Sequence, residues 1–402
     1  MKKKLLITAC SAEIGGIERS LIGLLDVLDY SRYDVDVLLF SRKGELLPYV
    51  SPKCNLLPQI PQCATLLTPV RTVLRQGHFL LGAARVYTHW AISRKYRDVA
   101  DPQTADGVTF ALLQKFWDTS VRFMPKLRTE YDAAISFMWP HHFVAKKVRA
   151  KKKFAWVHTD YSIAILDKKK DAAIWEQFDR IAAVSDECGE AFAKVYPQFR
   201  EKLTTVENIL PQAFVQQSAL ESQPQEMCGT DVPKLVSVGR LCYPKAYDRA
   251  ARVARMLKDR GVAFRWYIVG FGAEEQNLRA LIQQLDVGDR FLLLGKKSNP
   301  YPYIRACDLF VQPSRYEGKA VTVREAQMLE KPVLITDYRT ARSQVRDGFD
   351  AVIVPQDEGA IADAIESLLQ DEEKRKRLSA NTRTEDYGNT AEVFKIYRMI
   401  EG

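Results

Sequence analysis

Short, continuous apolar runs recur along the chain, separated by stretches whose apolar residues return every three or four positions. One series of runs is Leu5–Ala9, Val35–Phe40, Ala133–Phe137, Phe154–Val157 and Ile181–Val184. A second is Leu235–Val238, Trp266–Val269, Phe291–Leu294, Leu309–Gln312, Val333–Thr336 and Ala351–Val354. Helical periods lie between them, as in Ile17–Leu28, Ala246–Asp259 and Glu274–Leu285. Continuous apolar strands alternating with helices predict parallel sheets covered on both faces. Two series predict two doubly wound α/β domains. Asn208-Ile-Leu-Pro211 closes the first series. Gln212 to Pro233 is polar and rich in Gln, Ser and Pro, and reads as a linker or a loose helix. Two such domains would face each other across a cleft, with ligands bound beyond the carboxyl ends of the strands.

Composition narrows the class. The 402 residues are 47% hydrophobic and 27% charged, ordinary for a globular protein with full cores. No run reaches the roughly 18 apolar residues of a membrane span. The start, Met1-Lys-Lys-Lys-Leu-Leu-Ile-Thr-Ala-Cys10, imitates a signal peptide, but its apolar part is short and Glu13 follows, so it is expected to be a first buried strand. Seven scattered cysteines, an odd number with no C-x-x-C pair, imply reduced thiols, no zinc site and a cytoplasmic protein.

The net charge of +9 is concentrated. Residues 69–153 hold 16 Lys/Arg and 6 Asp/Glu, an excess of +10. A basic face implies an acidic partner or simply a solvated surface. Pro69 to Arg97 can form a basic amphipathic helix, with Val70, Val73, Leu74, Leu81 and Ala84 on one face and Arg71, Arg75 and Arg85 on the other. Such a helix either lies on an anionic membrane, making the protein peripheral on the inner face, or packs on the first sheet. No nucleic-acid-binding motif accompanies the aromatics Trp90, Tyr96 and Trp117, so no nucleic-acid partner is expected.

The candidate chemistry falls just after strands. Ser314 to Glu325 reads S-R-Y-E-G-K-A-V-T-V-R-E and begins where Leu309–Gln312 ends. Glu317 and Glu325 have seven residues between them. A carboxylate accepts from two vicinal hydroxyls at once, which suits a pyranose or a ribose. The amides of Gly318, Lys319 and Ala320 would sit at a helix N-terminus that favours an anion. Ordinary capping acids on a surface loop account for the spacing equally well. Gly15-Gly16 opens the first helix and lets backbone approach a ligand. Val238-Gly239-Arg240-Leu241 with Lys245 supplies a guanidinium fork and a point charge for a diphosphate. His158 directly follows a strand and could donate to a sugar hydroxyl. His141-His142 is expected only to pack. Gly270 opens Gly270-Phe-Gly272, which lacks a third glycine and excludes a dinucleotide fingerprint. Gly295 and Lys296 begin a loop whose Tyr301 or Tyr303 could hold a nucleobase.

In order, Val238-Gly-Arg-Leu…Lys245, Ile268-Val-Gly-Phe-Gly272, Asp308…Pro313-Ser314, Glu317-Gly318…Glu325, Lys331-Pro-Val and Asp347-Gly resemble the family-4 retaining glycosyltransferases of the GT-B fold, in their bacterial capsule and exopolysaccharide branch. The resemblance runs through the second domain and is limited in the first to Gly15-Gly16, His158 and the strand–helix rhythm. It implies an acceptor-binding domain over 1–208, joined by a C-terminal helix of about 388–402 that crosses back, and a donor-binding domain over 209–387. It implies that Arg240 and Lys245 bind the donor diphosphate, that Glu317 and Glu325 contact sugar and ribose hydroxyls, and that His158 lies near the transferred sugar. Gly15, Gly16, Gly239, Gly270, Gly295, Lys296, Gly318, Lys319, Ala320 and Val321 would complete the donor site. The reaction expected is hexosyl transfer from a nucleotide-sugar, UDP-linked, to a glycan or lipid-linked glycan, with no metal and no cofactor beyond that co-substrate. A catalytically silent subunit of the same fold and a nucleotide-sugar epimerase are the alternatives; the first would lack the charged set and the second would need an acid/base pair not found here. Ala246, Lys319 and Glu330 depart from the family's usual Gly, Phe and Gly.

Overall fold

The computed structural model describes residues 2–65, 68–97, 102–210, 212–229 and 231–402. The chain divides into two compact units, one of residues 1–209 and 390–402 and one of residues 210–389.

In the first unit seven strands form one sheet: β1 (Lys3–Ala9), β2 (Tyr33–Leu39), β3 (Asn55–Leu56), β4 (Glu130–Ser136), β5 (Arg149–Val157), β6 (Arg180–Ala183) and β7 (Leu203–Thr205). Their order is β3-β2-β1-β4-β5-β6-β7 and every pairing is parallel. Two strands were not foreseen. β3 and β7 have two and three residues and no apolar run. β5 is longer than its apolar part: its first half, Arg149 to Lys153, pairs with β4, with Arg149 and Lys151 exposed and Lys152 and Lys153 donating to the carbonyls of Ile400 and Ala145. The helix Val393–Glu401 closes this unit. Ile396, Tyr397 and Ile400 join its core, and Tyr397 stacks on Tyr33 at 5.2 Å between centroids while its oxygen accepts from the Asp29 amide at 2.7 Å.

The second unit holds β8 (Lys234–Val238), β9 (Arg265–Val269), β10 (Phe291–Gly295), β11 (Leu309–Gln312), β12 (Val333–Thr336) and β13 (Val352–Val354), in the order β10-β9-β8-β11-β12-β13, again all parallel. Alternate residues feed two separate cores. Val236, Tyr267, Phe310 and Ile335 face one, and Leu235, Trp266, Leu309 and Leu334 face the other. Both faces are covered, so the strands read as unbroken apolar runs. The strand order reverses between β8 and β11. That is where a doubly wound sheet opens a crevice.

The structure decides two sequence expectations. Of the two readings of residues 212–233, linker or loose helix, the helix holds for their first part. Gln212–Ser218 is a helix whose Val215 is buried in the second unit's core, and Gln216 donates to the carbonyl of Met328 at 3.3 Å. Pro69 to Arg97 is not one helix. Val70–Arg75 and Phe79–Lys95 are separated by a turn at Gly77, whose φ of +80° suits glycine. Val73, Leu81 and Ala84 pack inward as the alternative reading expected, but Leu74 is exposed, and Arg85 donates inward to the carbonyls of Thr65 and Thr68.

Ala246 and Glu330, two of the departures from the family's glycines, have φ of +56° and +57°. Glu330 follows the helix Val321–Met328, and Lys331 N–H returns to the Ala326 carbonyl at 3.0 Å in a left-handed C-cap. Its ion pair with Arg383 is exposed and contributes little. Glu330→Gly is expected to raise stability by about 0.5–1 kcal/mol, the left-handed strain less glycine's chain entropy. Urea unfolding of both proteins checks this.

Candidate donor-site crevice

The crevice of the second unit is built from two loops. Gly239 to Ala246 leaves β8 and runs through a turn, Tyr243–Lys245, into the helix Tyr247–Asp259. Pro313 to Ala320 leaves β11 and runs into the helix Val321–Met328. Lys245 and Glu317 meet across them, Nζ donating to Oε1 at 2.6 Å, with both side chains mostly buried. The same Oε1 accepts from Gln312 Nε2 at 2.9 Å and Ser314 Oγ at 2.6 Å. Oε2 accepts nothing among the described residues, so one oxygen anchors the carboxylate and the other is left with its lone pairs.

A second pair holds the loops together. Arg315 donates to both oxygens of Asp248, at 2.8 and 2.7 Å, and to the Tyr243 carbonyl at 2.8 Å, with its guanidinium 4.3 Å from the Tyr243 ring centroid. Its amide donates to the Pro244 carbonyl at 2.7 Å, and Gln356 Nε2 donates to its own carbonyl at 2.8 Å. Burial raises the Asp248 carboxyl, but Arg315 and then Arg252 outweigh it and hold the group below the usual carboxylate range. Arg240 is exposed on the β8 loop and has no ion partner among the described residues. Tyr247 is buried, with its hydroxyl unpartnered among the described residues beside Gly239.

The family description "Glycosyl transferases group 1" matches residues 221–385, which contain this crevice entire. The second unit is a group 1 glycosyl transferase domain. Relatives of the chain include the alpha-D-kanosaminyltransferase of Streptomyces kanamyceticus, 30% identical over 154 residues that make up 38% of this chain and 40% of that protein. Another is the putative colanic acid biosynthesis glycosyltransferase WcaL of Salmonella typhimurium, 33% identical over 135 residues, 31% of this chain and 33% of that one. The chain thus spans about two fifths or less of these curated relatives. Among solved structures, Anabaena HepE in complex with UDP is similar over 100% of this chain and 99% of its own at a TM-score of 0.66 and 15% identity. Sucrose-phosphate synthase of Thermosynechococcus elongatus is similar over 99% of both chains at 0.69 and 16%. These likenesses show the fold, GT-B.

Within the glycosyl transferase domain the remaining expected residues fall unevenly. Glu325 is fully buried and accepts from Tyr301 OH at 2.9 Å, while Tyr303 OH donates to Glu226 at 3.1 Å; both tyrosines therefore hold carboxylates rather than standing open to a nucleobase. The Ala320 amide is not offered outward, since it donates to Gln344 Oε1 at 3.2 Å. Lys319 is buried beside it, and Gly318 and Val321 flank the pair on the loop and at the start of the helix. The glycines serve loop packing. A Cβ on Gly270 would lie 1.8 Å from the Gly239 carbonyl oxygen, and the amides of Gly239 and Gly270 are taken by the carbonyls of Val269 and Gly295 at 3.0 and 2.9 Å. Lys296 lies with its Nζ 4.8 Å from the Phe271 ring.

The first unit corrects two expectations. His158 Nε2 lies 2.8 Å from the Phe137 carbonyl, which can only accept, so that nitrogen carries the proton. Burial lowers its pKa to about 4, and the neutral ring can offer Nδ1 only as an acceptor, not as the donor expected. At Gly15, which caps the helix Gly16–Val27, a Cβ would lie 2.1 Å from Glu18 Oε2. The chain's own Glu18 carboxylate thus stands close to the Gly15 backbone that was expected to approach a ligand. His141 and His142 are buried, bonded to Ser136 Oγ and Asp118 Oδ1. Sequence reasoning missed Arg315, Asp248 and Gln312. Arg315 had a signal, a cation inside the S-R-Y-E-G loop; Asp248 had none.

Two pH effects follow. Asp248 has a depressed folded pKa, so its contribution is present above the ordinary carboxylate pKa of about 3.9 and is lost as pH falls through the folded value. Asp248→Asn should lower stability near pH 7 by about 1 kcal/mol and flatten the acid arm of the unfolding curve. His158 also has a depressed folded pKa, so acid between about 6.5 and 4 protonates the unfolded chain and destabilises the folded one. His158→Asn should remove part of that slope. Urea midpoints measured from pH 4 to 8 check both.

Proposed function

We propose that the chain transfers a hexosyl unit from a UDP-sugar to a hydroxyl of a glycan or lipid-linked glycan, with retention, in bacterial surface polysaccharide synthesis. The Lys245–Glu317 pair in the crevice between β8 and β11 carries the reading. It sets a cation for a diphosphate against a carboxylate with one oxygen open to vicinal hydroxyls. The relatives support the setting: WcaL is a putative colanic acid biosynthesis glycosyltransferase, EpsD of Bacillus subtilis is a putative glycosyltransferase, and HepE has been solved with UDP-glucose.

The chemical difficulty is negative charge growing on the departing diphosphate. Preorganised cations aimed at that charge lower the barrier most. Lys245 is preorganised by Glu317, and the Arg315–Asp248 clamp fixes the loop that carries it. Arg240 stands exposed to take phosphate oxygens in a fork. These side chains supply the charge that a metal would otherwise supply. Glu317 holds sugar hydroxyls through Oε2. In a front-face transfer the acceptor proton goes to the leaving phosphate oxygen, so no carboxylate base is required.

Lys245→Ala is expected to lower turnover by about a hundredfold or more, as losing one such donor does. Sugar release and transfer assays across UDP- and GDP-sugars read this, and near-normal turnover in the variant would overturn the leaving-group role. UDP should stabilise the protein to heat and GDP should not.

A further inference from the structure

The helix Phe79–Lys95 has two apolar faces, and only one is covered. Leu81 and Ala84 are buried against the first unit. On the other side Phe79, Leu80, Val86, Tyr87 and Trp90 stand out, with Phe79 and Leu80 about two-thirds exposed and Trp90 more than half. Phe79, Val86 and Trp90 repeat at helical spacing, and Leu80 and Tyr87 lie beside them a quarter turn away, so these residues form one broad stripe along the helix. Leu74, on the preceding helix Val70–Arg75, adds to it. Six of the ten exposed large apolar side chains among the described residues lie between 74 and 90. An apolar patch so concentrated marks a surface that something covers.

The charge around the stripe selects the partner. Residues 69–97 contain six Lys/Arg (Arg71, Arg75, Arg85, Arg94, Lys95 and Arg97) and no Asp or Glu. A groove of about 840 Å3 along the helix is walled by Val70, Val86 and Trp90 on its apolar side and by Arg85, Arg94 and Arg97 on its basic side. The Arg94 guanidinium lies 5.6 Å from the Trp90 ring centroid, and Tyr87 lies 6.3 Å from Trp90. A second copy of the chain would set this basic surface against itself, and like charges oppose that. An anionic bilayer answers both halves at once, with acyl chains for the stripe and phosphates for the rim. Tyr and Trp, apolar in body and polar at one edge, suit the boundary between them. No helix among the described residues is long and apolar enough to cross a membrane.

We propose that the stripe from Leu74 to Trp90, with its arginine rim, docks the first unit on an anionic phospholipid surface. The face that enters the lipid is the one opposite Leu81 and Ala84; of the five residues that the sequence pattern set on one face, Val73, Leu81 and Ala84 are buried and Leu74 lies on the exposed stripe. The docking does not rest on the sugar-transfer reading, and its test reads no catalysis.

The full chain is sedimented with vesicles of phosphatidylglycerol and phosphatidylcholine, and with phosphatidylcholine alone. Binding is expected to the anionic vesicles and to weaken steeply with salt. Arg94→Glu with Arg97→Glu should weaken it about tenfold or more. Phe79→Ser with Trp90→Ser, exposed positions whose change leaves the core intact, should also weaken it about tenfold or more, with an unaltered circular dichroism spectrum. Equal binding to phosphatidylcholine alone, no binding to anionic vesicles, or undiminished binding by both double variants would each overturn the proposal. So would a concentration-dependent dimer in sizing runs that Phe79→Ser with Trp90→Ser abolishes, since a second copy would then be the cover.

Discussion

One carboxylate oxygen fixes the geometry of the second unit's crevice. Glu317 Oε1 collects a lysine, an amide and a hydroxyl, drawn from the β8 loop, the end of β11 and the β11 loop. A charge so satisfied can be kept largely out of water, where an isolated one could not. The consequence is directional. With three donors on one side, the carboxylate cannot turn, and its second oxygen is held in a single orientation. Lys245 is fixed by the same contact. Arg315 and Asp248 then pin the two loops a second time, a few residues away, through a bidentate pair capped by the Tyr243 ring. Two independent ties between two short loops make a rigid wall out of segments that would each be mobile alone.

The sheet topology explains why these loops meet. β8 and β11 are neighbours in space but far apart in sequence, and the order reverses between them. No helix has to cross the gap above that point, so the loops can close over it with side chains only. The glycines at 239 and 270 belong to the same economy of space. Loops from β8 and β9 touch backbone to backbone, and any side chain on Gly270 would separate them.

Much of this was legible in the sequence, for a physical reason. Parallel strands buried on both faces must be continuous apolar runs, and Leu235, Trp266, Leu309 and Val333 could hardly be read otherwise. Lys245 and Glu317 were legible because each lies in the loop that leaves a strand, where the topology sends ligand-facing residues. What they do to each other was not, since pairing across 72 residues leaves no local trace. Asp248 looked like an ordinary acid in the first turn of a helix, and only the fold shows it beneath Arg315. Spacing left Glu325 open between a hydroxyl-binding acid and a capping acid; its burial against Tyr301 depends on the loop after β10, which no periodicity describes.

The helix at 79–95 shows the limit of pattern reading most sharply. A hydrophobic stripe tells which side of a helix is apolar, and it assumes that the other side is wet. Here both sides are apolar, so the pattern blurs and puts Leu74, which is exposed, in one set with Val73, Leu81 and Ala84, which are buried. The structure settles which side the protein itself uses. The residues left over are larger and more aromatic, and the segment that carries them, 69–97, holds six Lys/Arg and no acid. An exposed Phe-Leu pair beside a Trp promotes association, whereas the arginines beside it oppose self-association through their like charge and leave the apolar ridge accessible, a combination that suits reversible contact.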